Sequence, residues 1–286
     1  MLGPEDLVLC TGTLLHASLR ELIEAASAHG FAGISLWPDD VERANADGMS
    51  NADIRLLLED HGLQVAELDP LLGWLSSSGS LGAGAAEGSE ARIGRREDEF
   101  YALADTIGGS VLNCAHAFPG EVDLDQAAER FAGVCDRARE HGLAAAIEFL
   151  PWTGIPDVGT ASEIVARAGR SNGGILFDSW HHFRGTNDDE ALRAIPGAQI
   201  LGVQLNSAPA MPSGELMVET MQGRLLPDEG DIDVVQLVRI LDAIGAAAPL
   251  GIEVFSDELN ALPAGAAAER CSASIQRVLT EARTET

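Results

Sequence analysis

Three segments of the chain share one local pattern. AHGFAGISL from Ala28, DHGLQVAEL from Asp60 and EHGLAAAIEF from Glu140 each set His-Gly ahead of an apolar run. Glycine just past a helix end takes the left-handed conformation at no steric cost, and a His beside it suits the negative helix terminus. The unit therefore reads as helix stop, then strand. IGGSVLNCAH, SNGGILFDSW and AAAPLGIEVF have the same form without the His, and VLCTGTL and QILGVQLN bring the strands to eight. Between them lie amphipathic stretches such as LRELIEAASA, ADIRLLLED, DQAAERFAGVCDRARE and VVQLVRILDAI. Alternating strands and helices imply a parallel sheet, and eight units are what a closed α/β barrel, a (β/α)8 TIM barrel, needs. The alternative, an open doubly wound sheet, lacks its fingerprint, since no GxGxxG opens a helix after the first strand. The expectation is one TIM-barrel domain over residues 1–286.

Two connections are long. Residues 75 to 95, rich in Gly and Ser, and residues 207 to 230 both fall on the face where strands end. The first reads as a lid over that face rather than a domain linker, because the repeat continues in phase on both sides.

Charge and composition remove several functions. A formal net charge of -27 opposes binding to a phosphate polymer, so nucleic acid is not an expected partner. All 18 basic residues are Arg, and without Lys there is neither Schiff-base chemistry nor a PLP anchor. Cys10, Cys114, Cys135 and Cys271 show no CxxC spacing and read as reduced packing residues. The sequence carries no apolar run of membrane length and no signal-like start, which points to a cytoplasmic protein without membrane contact. Assembly into a homo-oligomer is compatible with it.

Four residues carry the chemistry. Glu148, Asp178, Gln204 and Glu253 each sit near the C-terminal end of an apolar run, AAAIEF, GILFD, ILGVQL and LGIEVF. A charge inside such a run is costly unless paired or coordinated, and in a parallel barrel these ends converge on one face. Three carboxylates and an amide offer only oxygen, which suits a hard divalent ion, Mn²⁺ or Mg²⁺. Each acid taken singly has a plainer use as a helix cap or an Arg partner. His29, His61 and His141 belong to the helix stops on the opposite face and are assigned no chemistry. His16, His116, His181 and His182 follow strands, and His181 stands one short turn beyond Asp178, placed to hold a substrate oxygen or carry a proton. Trp37, Trp74, Trp152 and Trp180 also follow or end strands and offer flat apolar surfaces, or rim packing. Arg184 and Arg224 share this face as clamps for a polar oxygen, with a surface ion pair as the plainer use.

IEFLP around Glu148, FDSWH around Asp178 and His181, VQLN around Gln204, RLLPDEGDID after Arg224 and IEVFSDEL around Glu253 resemble the xylose isomerase-like TIM-barrel superfamily of sugar phosphate isomerases and epimerases. The likeness spans nearly the whole chain. It implies one metal on Glu148, Asp178, Gln204 and Glu253, with Glu148 and Glu253 doubling as the acid and base pair and His181 touching substrate. His116, Trp180, Arg224 and His16 complete the expected substrate-binding set. Gln204 stands where many sugar epimerases of the family have His, and is similar to dehydratase members; PDEG replaces the usual PGEG. The expected activity is isomerisation or epimerisation of a ketose, sugar phosphate or cyclitol-like hydroxyketone through an enediolate, with a small polyol as partner. The alternative on the same site is a lyase that dehydrates a keto-cyclitol or 3-dehydroshikimate, or cleaves a ketoglycoside. A repair nuclease would need more metal-binding His and a basic surface, and a non-catalytic sugar-binding barrel would not need the intact quartet.

Overall fold

The computed structural model describes residues 2–75, 94–212 and 214–284. Eight parallel strands run in sequence order around a closed barrel: β1 (Leu7–Leu9), β2 (Gly33–Leu36), β3 (Gln64–Leu71), β4 (Val111–Ala115), β5 (Ala144–Glu148), β6 (Gly173–Asp178), β7 (Ile200–Leu205) and β8 (Leu250–Ile252). β8 pairs back onto β1, with Leu7 opposite Leu250 and Leu9 opposite Ile252. This closure excludes the open sheet. The helix stops behave as their residues dictate, since Gly30, Gly62 and Gly142 take φ of 81°, 68° and 75°.

Strand side chains alternate, and the two sets have different fates. Ala145, Ile147, Ile175, Phe177, Val203 and Leu205 point outward into one apolar core shared with the surrounding helices. Inside the barrel only small clusters form, Val8 with Cys10 and Ala66, and Val111 with Ala146 and Leu176. The polar residues lie beyond these, toward the strand ends. All four cysteines are buried and unbridged, in keeping with packing roles.

Two connections depart from a plain repeat. A helix at Pro38–Ala46, not apparent in the apolar pattern, follows β2; Pro38 supplies a preset φ at its first turn, and Asp40 accepts from the Trp37 backbone N–H at 3.1 Å. The connection after β7 contains a helix at Leu216–Gln222 and is pinned by antiparallel bridges of Ser207 to Leu225 and Gly223 to Ser256. Of the expected lid, residues 76–93 lie outside the described residues. Arg95 at its far end pairs with Glu42 at 2.6 Å, with Glu99 at 3.0 Å and with Asp39. Among the described residues no helix is long and apolar enough to cross a membrane.

Candidate metal centre and active site

Period-two alternation brings the polar strand residues to one level. Ala146 and Glu148, Leu176 and Asp178, and Gly202 and Gln204 are inward pairs on β5, β6 and β7, and Asp178 sits beside Gln204 in the sheet register. Glu253 follows the last residue of β8. Asp178 also caps the short helix Ser179–Arg184, accepting the His181 backbone N–H at 2.9 Å, and this turn swings the His181 ring back over the barrel mouth. Ligand atoms of Glu148, Asp178 and His181 lie within 4.8 Å of one another.

Beside the expected oxygen ligands Glu148 and Asp178, this tight cluster includes an imidazole nitrogen. His181 Nε2 stands 3.3 Å from Glu148 Oε1 and 3.4 Å from Arg224 Nη2. Glu253 Oε2 turns instead toward Arg224 Nη1 at 3.5 Å. Gln204 donates through Nε2 to Glu67 Oε2 at 3.2 Å, while its Oε1 is buried and meets no donor among the described residues.

Three residues not singled out in the sequence complete the mouth. Glu67 and Asp69 project from β3, and Asn113 from β4 gives its Nδ2 hydrogens to Asp69 Oδ1 at 2.6 Å and Glu148 Oε2 at 2.7 Å. Trp37 Nε1 reaches Asp69 Oδ2 at 3.2 Å. The signal was available: two acids spaced i, i+2 in AELDP and an amide inside VLNCA break apolar runs just as Glu148 does.

Glu67, Asp69, Glu148, Asp178 and Glu253 are all buried, and against these five carboxylates stands one buried guanidinium, Arg224. Arg224 is fully engaged. Its Nε donates to the Thr220 carbonyl and Nη2 to Thr220 Oγ1, while Nη1 serves Asp178 Oδ2 at 2.8 Å and the Glu253 carbonyl. The titration of the acids follows. Burial alone would raise Asp178, but Arg224, then His181 and donors from His181 and Asn206, hold it below the ordinary value. Burial pushes Glu67 and Glu253 well up, with the Asp69 charge adding to both. The raised values of Glu67 and Glu253 reflect this crowding of buried carboxylates, which a bound cation would relieve.

The remaining candidates divide. His116 is buried just past β4, edge-on to Phe118, its Nδ1 meets no partner among the described residues, and burial lowers its pKa. Trp180 is fully enclosed and its indole N–H is taken by Glu219 Oε1 at 3.1 Å, so it backs Arg224, 5.6 Å from the ring centroid, rather than presenting a face to substrate. Trp152, half-buried and edge-on to both Trp180 and His181, is the exposed aromatic of this wall. His16 is exposed in a separate cavity with Arg20, Glu21, Arg43 and Asp47. Neither arginine makes the plainer surface pair: Arg184, half-buried, pairs with Glu219 at 2.7 Å and also donates to the Pro209 carbonyl at 2.6 Å, tying the loop after β7 to the mouth.

The residues fit a divalent ion. Glu148, Asp178 and His181 converge, Gln204 offers an unmet oxygen, and the surplus carboxylates supply the charge. A family model described as xylose isomerase-like TIM barrel matches residues 23–276. The chain belongs to that family. Among curated relatives of this xylose isomerase-like barrel, 3-dehydroshikimate dehydratase of Pseudomonas aeruginosa is 29% identical over 260 residues, 87% of this chain but 38% of the relative. The chain thus spans about two fifths of the length of the dehydratases it matches. Inosose isomerase of Bacillus velezensis is 25% identical over 265 residues, covering 88% of this chain and 89% of that one. Among solved structures, the IOLI protein with a bound zinc atom shares the fold at TM-score 0.84 and 21% identity, over 98% of this chain and 100% of that one. These sequence relatives are enzymes.

Proposed function

We propose that this barrel is a divalent-metal-dependent isomerase or epimerase of an uncharged, polyhydroxylated ketone of the inosose type. The observation that carries the proposal is the set of five buried carboxylates facing a single arginine whose N–H groups are all occupied. That imbalance favours a metal cation, and among the described residues it leaves the cluster without a free cationic group for a substrate carboxylate or phosphate. Glu148, Asp178, Gln204 and Glu253 would hold the ion, with Mn²⁺ or Mg²⁺ favoured by the oxygen-rich set. When bound, it supplies Lewis-acid polarisation of a carbonyl and its neighbouring hydroxyl, which acidifies the C–H between them.

The chain's own residues then move the proton. One of Glu148 and Glu253 takes it from carbon, leaving an enediolate, and the other returns a proton to the opposite face or the neighbouring carbon. His181, held beside Glu148, exchanges a proton with the substrate hydroxyl, and Trp152 lies along the ring. Inosose isomerase, similar over nearly the full length of both chains, supports this reading. The higher identity to 3-dehydroshikimate dehydratase favours a second one, in which the same proton removal is followed by loss of a β-hydroxyl protonated by His181.

Metal-loaded protein incubated in D₂O with inososes, ketoses and 3-dehydroshikimate separates them. Deuterium entering an inosose or ketose without mass loss supports isomerisation. Loss of water from 3-dehydroshikimate, with no exchange into the uncharged ketones, overturns it in favour of the dehydratase.

A further inference from the structure

The geometry points to Glu67 as a positioning residue that turns the Gln204 carboxamide so that its carbonyl oxygen faces the metal; this rests on the metal reading above. β3 and β7 lie on opposite sides of the eight-stranded barrel, so Glu67 reaches across the interior to touch Gln204. An amide has two chemically opposite ends of nearly equal shape, and packing alone does not choose between them. An oxygen that accepts selects the NH₂ end, and Glu67 Oε2 is the acceptor in this contact. With Nε2 on Glu67 Oε2 at 3.2 Å, Oε1 is directed away, buried and without a donor among the described residues.

The strand that carries Gln204 is shaped for this contact. Two residues earlier on the same inward face is Gly202, where a Cβ would come within 2.6 Å of Glu67 Oε1. Any larger residue there would drive the carboxylate off its place. One oxygen of Glu67 therefore rests against a glycine and the other holds the amide. Glu148 is steadied differently, by Asn113, and Asp178 by Asn206 at 3.0 Å; Gln204 alone among the four expected ligands is oriented by an acid from the far side of the barrel. Partners one step behind metal ligands commonly set affinity by about 10- to 100-fold.

The test uses Mn²⁺ binding to metal-free protein, measured by isothermal titration calorimetry, with thermal melting of each variant to confirm folding. Glu67→Leu removes both acceptor and charge and is expected to weaken Mn²⁺ about 10- to 100-fold, whereas Glu67→Gln removes the charge but keeps an acceptor oxygen and stays within about threefold. In a Gln204→Ala background Glu67→Leu should have little further effect, because the residue through which it acts is gone. Gly202→Ala, which displaces the carboxylate without deleting it, should weaken binding by about 10-fold and covers the case in which Glu67→Leu does not fold. Equal losses for Glu67→Leu and Glu67→Gln would assign the effect to charge and overturn the proposal. So would an undiminished loss in the Gln204→Ala background, or wild-type affinity in Glu67→Leu or Gly202→Ala. Wild-type protein that binds no divalent ion overturns the metal reading itself, a result distinct from all of these.

Discussion

The two halves of the barrel treat buried charge differently. β5 to β8 carry Glu148, Asp178, Gln204 and Glu253 at or beside their ends; Glu148 and Asp178 converge with His181, and Asp178 and Glu253 face Arg224. β3 and β4 place Glu67, Asp69 and Asn113 on the same level, but these side chains bond mainly to groups that themselves face the centre. One half presents donors and the other aims them. A polar residue at a strand end is thus not by itself a reactive group; what it touches decides.

The sharpest way to break this division is to exchange the proton carriers. Glu148→Gln and Glu253→Gln keep an oxygen donor but lose the base, so turnover should fall by at least about 10² with metal still bound. Measured turnover near wild type for Glu253→Gln would move it into the aiming class. Next in size is Arg224→Met, which strips Asp178 of its buried partner. It should cost about 3–5 kcal/mol in urea unfolding of the metal-free protein. On the supporting side, Asn113→Leu leaves oxygens of Asp69 and Glu148 without their donor and should cost about 1–3 kcal/mol, with a smaller loss of turnover than Glu148→Gln. If the activity losses are equal, the two halves do not differ in kind. The smallest effect belongs to the opposite face. His61→Ala should change stability by no more than about 0.5 kcal/mol and leave kcat unchanged.

Much of this division was legible in the sequence, for a physical reason. Helix stop followed by strand is a local pattern, written in residues such as His29-Gly30 and His141-Gly142, and eight such units close only one way. Glu148, Asp178, Gln204 and Glu253 were visible because a polar group costs most where everything around it is apolar. Less legible was anything that depends on the direction of a turn. His16 and His181 both follow strands, yet the Asp178 cap folds one back over the mouth while the other is exposed in a separate cavity. Trp180 looked like an open aromatic face, but its N–H needs an acceptor and finds it in Glu219, 39 residues on. Arg224 and Arg184 read as clamps on this face or as surface pairs, and the choice of Asp178 and Glu219 as their partners depends on pairing across the closed barrel. Glu67 and Asp69 carry the same signal as Glu148, two acids spaced i, i+2 inside an apolar strand.

The join between β1 and β8 has a consequence for the order of assembly. Thr13 Oγ1 donates to the Ile252 carbonyl at 3.0 Å and accepts from the Val254 N–H at 3.0 Å, so the first strand is completed by residues some 240 positions later. Until that partner emerges from the ribosome, β1 and β7 both present open edges, and Glu253 is absent from the mouth. Pairings this distant in sequence form slowly, and open edges invite wrong partners in the meantime. An ion held by all four proposed ligands would therefore load after ring closure rather than nucleate it. During synthesis the surplus carboxylates wait in a solvated, half-built rim, and their mutual repulsion becomes severe only as the last strand docks.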